Sequence, residues 1–117
     1  MRRMKTTILP WLTVFVLAAV LQLNCSVHYL ITGSMEPAYP TGSLVLVSRL
    51  AGPEIGSVCA YHRNGKTVVH RIIAQNEQGY IFKGDANNVQ DPYAVSRNEI
   101  EGKVVFTFPH ISINEGD

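Results

Sequence analysis

Apolar positions divide the chain into one long run near its start and several short runs after it. No charged residue occurs from Ile8 to Leu30. As a helix rising about 1.5 Å per residue, this stretch is long enough to cross the roughly 30 Å hydrocarbon core of a bilayer. Basic residues precede it, and such residues keep a flanking segment on the cytoplasmic side. The pattern predicts a cytoplasmic N-terminus at 1–7, one transmembrane helix at 8–30 and an extracytoplasmic part at 31–117.

A cleaved secretory signal is an alternative for the same segment, because it too has a basic start and an apolar run. However, no convincing small-residue cleavage pattern follows before Ser34, and Asn24-Cys25-Ser26 is a poor one. Leu21–Cys25 resembles a lipoprotein cleavage box, but Asn24 stands where a small residue is needed. We therefore expect a retained anchor.

The part after Ser34 consists of short apolar runs separated by turn residues. The runs are rich in β-branched and aromatic residues, which is typical of strands. Asn64-Gly65 between two of them is a strong signal for a β-hairpin. The pattern predicts a mainly β domain, either a small coiled β-sheet or a partly open barrel, with a short helical or irregular link at Val95–Glu101. The predicted strands are Ser43–Ser48, Ser57–His62, Lys66–Ala74, Gly79–Lys83 and Gly102–Phe108.

Composition excludes several classes of function. The 117 residues carry a formal net charge of +1, which gives no electrostatic basis for binding nucleic acid. The two cysteines are too few for a disulfide framework; we expect Cys25 at the membrane and Cys59 as a buried thiol. No histidine and cysteine spacing indicates a metal site, and we expect no metal and no cofactor.

Three polar spots interrupt the β pattern and carry candidate chemistry. They are Ser34, His70 within an apolar strand, and the loop 84–91 with Asp85 and Asp91. A serine hydroxyl is a weak nucleophile until a base accepts its proton, and a neutral imidazole can do so near pH 7. A carboxylate can orient that imidazole. These residue types are therefore the components of a serine hydrolase.

Each of these residues also has an ordinary structural explanation. Gly-Ser is a common turn dipeptide, a single histidine among apolar residues is usually a hydrogen-bonded core or edge residue, and Gly-Asp-Ala-Asn-Asn suits a loop with Asx turns. The residues alone therefore leave two classes open: a serine hydrolase, and a membrane-tethered, non-catalytic β domain that binds partners.

The same segments resemble the sequence boxes of type I signal peptidases, in the family's order and over nearly all of the chain after the apolar run. The run G-S-M-E-P-A-Y-P-T-G-S-L-V-L-V resembles the family's nucleophile box, and the run V-V-H-R-I-I resembles its general-base box. The run G-D-A-N-N-V-Q-D resembles the family's Gly-Asp box, and the run E-I-E-G-K-V-V-F resembles the strand that follows that box. The resemblance implies a serine endopeptidase that removes signal peptides from secretory precursors.

The general-base position places the chain in one branch of that family. Most bacterial members have lysine there, whereas His70 is similar to the endoplasmic-reticulum and archaeal branch and a minority of bacterial members. The resemblance therefore implies Ser34 as nucleophile and His70 as base, assisted by a carboxylate. We expect Asp91 to orient His70, and Asp85 to have a structural or supporting role. Lys66 is the alternative base, but it adjoins a turn where a solvated lysine is expected.

The resemblance also implies where the substrate binds. Thr32 and the backbone N–H of Ser34 are the expected donors to the oxyanion. Family members bind an extended peptide by strand addition, with small residues at its −3 and −1 positions. Ile31, Met35 and Val68 are the expected lining of shallow apolar pockets.

Topology agrees with such a substrate. Ser34 follows the apolar run closely, so a nucleophile there would lie at the outer membrane surface, where a precursor's cleavage site emerges. The expected partners are precursor proteins, the lipid bilayer and the secretion machinery. Related self-cleaving repressor peptidases are a rival, but they use lysine as the base and lack an anchor. The chain is also short for the family, with no room for a large additional β domain.

Overall fold

The computed structural model describes residues 2–109. Helix α1 occupies Arg2–Asn24, and the chain then continues directly into a strand. Among these residues, no helix has both the length and the hydropathy required to cross a bilayer. The end of the predicted β domain, 110–117, lies outside the described residues.

Within residues 25–108 the strands form one open antiparallel sheet. The strands are β1 (Cys25–Tyr29), β2 (Leu44–Ser48), β3 (Val58–Arg63), β4 (Lys66–Asn76), β5 (Gly79–Lys83), β6 (Ala94–Val95) and β7 (Ile100–Phe108). Their spatial order is β1-β2-β7-β3-β4-β5-β6, with β1 at one end and β6 at the other. A three-residue 3₁₀ helix, Arg97–Glu99, precedes β7.

The mainly β prediction is confirmed, and all five expected strands are present within a few residues of their predicted bounds. Asn64 and Gly65 both have positive φ, 54° and 75°, as the tight turn of a β-hairpin requires. The prediction missed the short strand β6 and the edge strand β1. Cys25–Tyr29 was expected to continue the apolar helix, but it is extended and pairs with β2.

The sheet curls so that its central strand β3 is buried on both faces. Val58 and Ala60 belong to one hydrophobic cluster, together with Met35. Cys59 and Tyr61, which alternate with them, belong to a second cluster. Because successive side chains of a strand point to opposite faces, the two clusters lie on opposite sides of β3. The burial of Cys59 agrees with its expected role as a core thiol.

Two strand edges that have no pairing partner within residues 2–109 border a groove of about 780 Å³. One edge belongs to β1, which pairs with β2 alone among the described strands. The other belongs to the first half of β4, because β5 pairs with β4 only from Arg71 onward. Residues 28–32 line the groove on one side and residues 66–70 on the other. A segment of extended chain would therefore meet free backbone groups on both sides.

Candidate active site

Ser34 lies in a turn that connects β1 to the core. Met35 follows it and is 1 % exposed, so the serine is fixed by a buried neighbour. The amide of Glu36 donates to the carbonyl of Gly33 over 3.1 Å, and the amide of Tyr39 donates to Met35 over 2.8 Å. These bonds hold the turn and leave the Ser34 hydroxyl at the groove.

The hydroxyl of Ser34 meets an imidazole from β4. Oγ of Ser34 lies 3.2 Å from Nε2 of His70, a distance within hydrogen-bond reach. Nδ1 of His70 lies 3.0 and 2.9 Å from the two carboxylate oxygens of Asp91. Serine, histidine and aspartate from three separate segments therefore form one continuous hydrogen-bonded chain.

The carboxylate fixes which ring nitrogen of His70 carries the proton. An ionised carboxylate only accepts hydrogen bonds, so Nδ1 must be the donor to Asp91. In the neutral ring, Nε2 is then an acceptor, and it faces the hydroxyl of Ser34. This tautomer is the one that can accept a proton from serine.

Asp91 is buried, at 8 % exposure, and two donors keep it charged. Burial by itself would raise the pKa of Asp91, but hydrogen bonds from His70 and Tyr61 and the nearby imidazole outweigh it, so the pKa lies below its usual value. The hydroxyl of Tyr61 donates to Oδ2 of Asp91 and lies 3.1 Å from that of Tyr93. Burial, and then the bond to Asp91, raise the pKa of Tyr61.

Asp85 contacts arginine and not the imidazole. Nε and Nη2 of Arg71 donate to its two carboxylate oxygens over 2.9 and 2.8 Å. This bidentate bond lowers the pKa of Asp85 and raises that of Arg71. A third nitrogen of Arg71 donates to the carbonyl of Gly56 over 2.8 Å. The ion pair therefore fastens the polar loop to β4, beside His70.

The polar loop also contacts the turn that carries Ser34. The amide of Ala86 donates to the carbonyl of Ser34 over 2.8 Å. Gly84 packs so closely here that a Cβ atom on it would lie 2.8 Å from that carbonyl oxygen and 2.6 Å from Asn87 Nδ2. Only glycine allows the two segments to approach this closely.

Thr32, which was expected to be an oxyanion donor, lies beside the serine. Its hydroxyl oxygen is 3.1 Å from Ser34 Oγ, and the Ser34 amide donates to it over 3.5 Å. Both groups therefore flank the hydroxyl, where donors to a developing oxyanion would have to be.

The three residues expected to line substrate pockets all border the groove, but in different environments. Met35 is buried, Val68 packs against the second hydrophobic cluster, and Ile31 is 77 % exposed. Lys66 lines the groove as well, but Ser34 is hydrogen-bonded to His70 and not to it. Among the described residues, no group of three or more His, Cys, Asp or Glu side chains is arranged to hold a metal ion.

Sequence reasoning did not identify Tyr61, Tyr93 or the Arg71–Asp85 pair. The only signal in the sequence was the position of Arg71 directly after His70. Tyr61 reaches Asp91 because β3 and β4 pair with Cys59 opposite His70, which places Tyr61 on the same face as the imidazole. That register could not be read from the sequence.

Comparisons with known proteins agree with this geometry. The family model described as Peptidase S24-like matches residues 21–105. The chain is similar to proteins named signal peptidase complex catalytic subunit SEC11 from several fungi. The protein from Yarrowia lipolytica is 38 % identical over 68 residues, which cover 52 % of this chain and 40 % of that protein. The protein from Lodderomyces elongisporus is 29 % identical over 110 residues, covering 81 % and 66 %. The protein from Metarhizium acridum is 35 % identical over 97 residues, covering 69 % and 56 %.

The matched regions span less than two thirds of each of these relatives. The resemblance to type I signal peptidases is nevertheless confirmed by them, and the family model covers most of the sequence. The chain therefore belongs to the Peptidase S24-like family.

Proposed function

We propose that this chain is a membrane-bound serine endopeptidase that removes N-terminal signal peptides from secretory precursors. The observation that carries the proposal is the hydrogen-bonded chain from Ser34 through His70 to Asp91 at one end of a peptide-sized groove. The similarity to catalytic subunits of signal peptidase complexes supports the choice of substrate.

In the proposed reaction Oγ of Ser34 attacks the carbonyl carbon of the scissile peptide bond, and His70 accepts the proton that Oγ loses. The Ser34 amide and the Thr32 hydroxyl stabilise the oxyanion. His70 then returns the proton to the leaving amine, and a water molecule activated by the same imidazole hydrolyses the acyl-enzyme. Asp91 steadies the imidazolium, while Asp85 acts at a distance by holding Arg71 and the loop.

The substrate would bind as an added strand between the two free edges that border the groove. Leu30 donates to the carbonyl of Ser43 and accepts from Gly42. The N–H and C=O groups of Leu30 thus point toward the chain that leads into β2. Because these directions alternate along an extended strand, the N–H and C=O groups of Tyr29 and Ile31 point away from β2. They are available to a peptide that enters beside them.

We also propose that α1 attaches the enzyme to the lipid bilayer, with its N-terminus cytoplasmic and the β domain on the outer face. Large apolar side chains along the helix are more than half exposed, among them Trp11, Phe15 and Leu23, and this supports contact with lipid. Association with further secretion subunits is proposed from the names of the relatives, which describe a complex.

The proposal is tested with a purified secretory precursor in membranes, with the new N-terminus located by mass spectrometry. We expect cleavage after the precursor's apolar segment by the wild type and by Lys66→Ala. We expect none by Ser34→Ala. Cleavage by Ser34→Ala at the wild-type rate would exclude Ser34 as the nucleophile, and no cleavage by the wild type would favour the non-catalytic β domain.

Attachment to lipid is tested separately, by alkaline extraction of membranes that contain the full chain. We expect the protein to remain with the membrane pellet, and a variant without residues 2–23 to appear in the supernatant. Extraction of the full chain would contradict the anchor without affecting the proposed chemistry. The deletion stops before Cys25 because β1 belongs to the sheet.

A further inference from the structure

A second polar cluster lies along the groove, away from Ser34. It consists of Ser26 and His28 on β1, His62 on β3 and Glu101 on β7. Nε2 of His28 is 2.9 Å from Oε2 of Glu101, and Nε2 of His62 is 2.6 Å from Oε1. Ser26 donates to the same carboxylate. His28 lines the groove, so the cluster borders the space in which a substrate would lie.

The carboxylate assigns the hydrogen-bonding roles of both imidazoles. The Glu101 side chain is 9 % exposed. Burial would raise its pKa, but the bonds from Ser26, His28 and His62 lower it below the usual value. A charged carboxylate requires Nε2–H donors, and in a neutral imidazole this leaves Nδ1 as an acceptor. Nδ1 of His62 accepts from the Thr67 hydroxyl over 3.0 Å. Nδ1 of His28 has no partner among residues 2–109.

The groove changes character over two residues. Beside Ser34 its inner side is apolar, formed by Met35, Leu30 and Val69, which belong to one buried cluster. Two residues back along each wall, the corresponding positions are His28 and Thr67. Alternate side chains of a bound strand share a face. A substrate side chain beside Leu30 would therefore meet the apolar part of the groove, and the side chain two residues earlier in the substrate would meet His28 and Thr67.

The direction of the substrate follows from where the strands lead. β1 and β4 both run toward the catalytic pair, since each adjacent pair in the order β1-β2-β7-β3-β4 is antiparallel. The other end of β1 joins α1 at Asn24. A precursor whose apolar segment lies beside α1 would enter from that end, so the polar cluster meets residues upstream of the scissile bond.

We propose that His28, backed by Glu101, forms a polar pocket for the −3 residue of the substrate and selects a side chain with a hydroxyl group. The inference rests on the proposed function for the register of the peptide. It differs from the expectation of two shallow apolar pockets: in this proposal the −1 pocket beside Met35 is apolar and the −3 pocket is polar.

Threonine and valine are the sharpest probes, because they have nearly the same shape and differ by a hydroxyl group. A threonine hydroxyl can donate to Nδ1 of His28, whereas valine has no donor to offer that nitrogen. One such hydrogen bond is worth about threefold to tenfold in affinity. We therefore expect a peptide with threonine at −3 to bind about threefold to tenfold more tightly than one with valine there, with alanine at −1 in both.

The experiment compares two peptides that differ only by threonine or valine at −3. Cleavage by the full-length enzyme gives the ratio of kcat/KM, and fluorescence anisotropy with Ser34→Ala gives the ratio of Kd. We expect His28→Leu to remove the preference and His28→Gln to retain it, because glutamine can both donate to Glu101 and accept from the substrate. Val27→Ala, next to His28 but on the other face of β1 and not part of the groove lining, is the control and should leave the ratio unchanged.

If the two peptides have equal kcat/KM and equal Kd, the proposed pocket is wrong. It is also wrong if the preference for threonine survives in His28→Leu. If no peptide is cleaved but Ser34→Ala still binds the threonine peptide more tightly, and His28→Leu abolishes this, the pocket stands while the proposed function fails. Absence of binding by either peptide would contradict the pocket itself.

Discussion

At the scale of single residues, the identity of the carboxylate beside His70 decides how the site works, and Nδ1 of His70 contacts Asp91 over 2.9 Å. Ser34 and His70 could be predicted because motif and residue type agree with a known family. The choice between Asp85 and Asp91 could not be derived from their spacing, since both lie in one polar loop. It depends on backbone contacts such as the amide of Asp91 donating to the carbonyl of Phe82 over 2.7 Å.

The first prediction separates the two aspartates. Asp91→Asn removes the negative charge and replaces one carboxylate oxygen with an NH₂ donor, so the His70 tautomer is no longer fixed and we expect kcat/KM to fall by between about a hundredfold and ten-thousandfold. Asp85→Asn weakens the pair with Arg71 but leaves the imidazole oriented, so we expect a loss below about tenfold. Steady-state cleavage of one peptide by both folded variants measures this. A larger loss in Asp85→Asn than in Asp91→Asn would reverse the assignment.

At the scale of elements, strands bounded by strong turn residues were predictable and strands defined by their partners were not. β3 and β4 flank Asn64-Gly65 and were identified with few errors in their bounds. β1 follows the apolar run without any break, and its extended conformation depends on pairing with β2. This strand forms one wall of the groove, so the sequence alone could not reveal how a substrate would be held.

The second prediction concerns the contact between the polar loop and the turn of Ser34. Gly84→Ala places a Cβ atom within 2.8 Å of the Ser34 carbonyl oxygen, so the turn or the loop must shift. Displacements of about 1 Å can cost roughly a hundredfold in rate, and we expect a loss of that order in kcat. Gly52→Ala is the matched control, because a Cβ there meets nothing within 4 Å.

Circular dichroism and kinetics on both glycine variants test the prediction. We expect near-native spectra from each, with activity lost only in Gly84→Ala. Full activity in Gly84→Ala would mean that the loop does not position the nucleophile.

At the scale of the whole molecule, three buried or paired carboxylates join distant strands. Asp85 fastens the loop to β4, Asp91 joins the loop to β3 and β4, and Glu101 joins β1, β3 and β7. The pKa of each lies below its usual value. Charge patterns in the sequence gave no indication of these links, because the partners are far apart along the chain.

The third prediction follows from the sign of these shifts. A carboxyl group whose pKa is lower in the folded state contributes stability above its unfolded pKa and loses it as pH falls through the folded value. We therefore expect the free energy of unfolding to fall as the pH drops below about 4. Urea titrations between pH 7 and pH 3 measure this, with Asp85→Asn as the comparison. A variant with the same acid dependence as the wild type would contradict a contribution from the Arg71 pair.

The central claim is that Ser34 and His70 act as one chemical unit. The most direct test is precursor cleavage by Ser34→Ala, His70→Ala and the double variant, with Lys66→Ala as the control. We predict that each single variant loses at least about a thousandfold in kcat/KM and that the double variant loses no more than either. Losses that multiply in the double variant, or substantial activity in His70→Ala, would contradict the account.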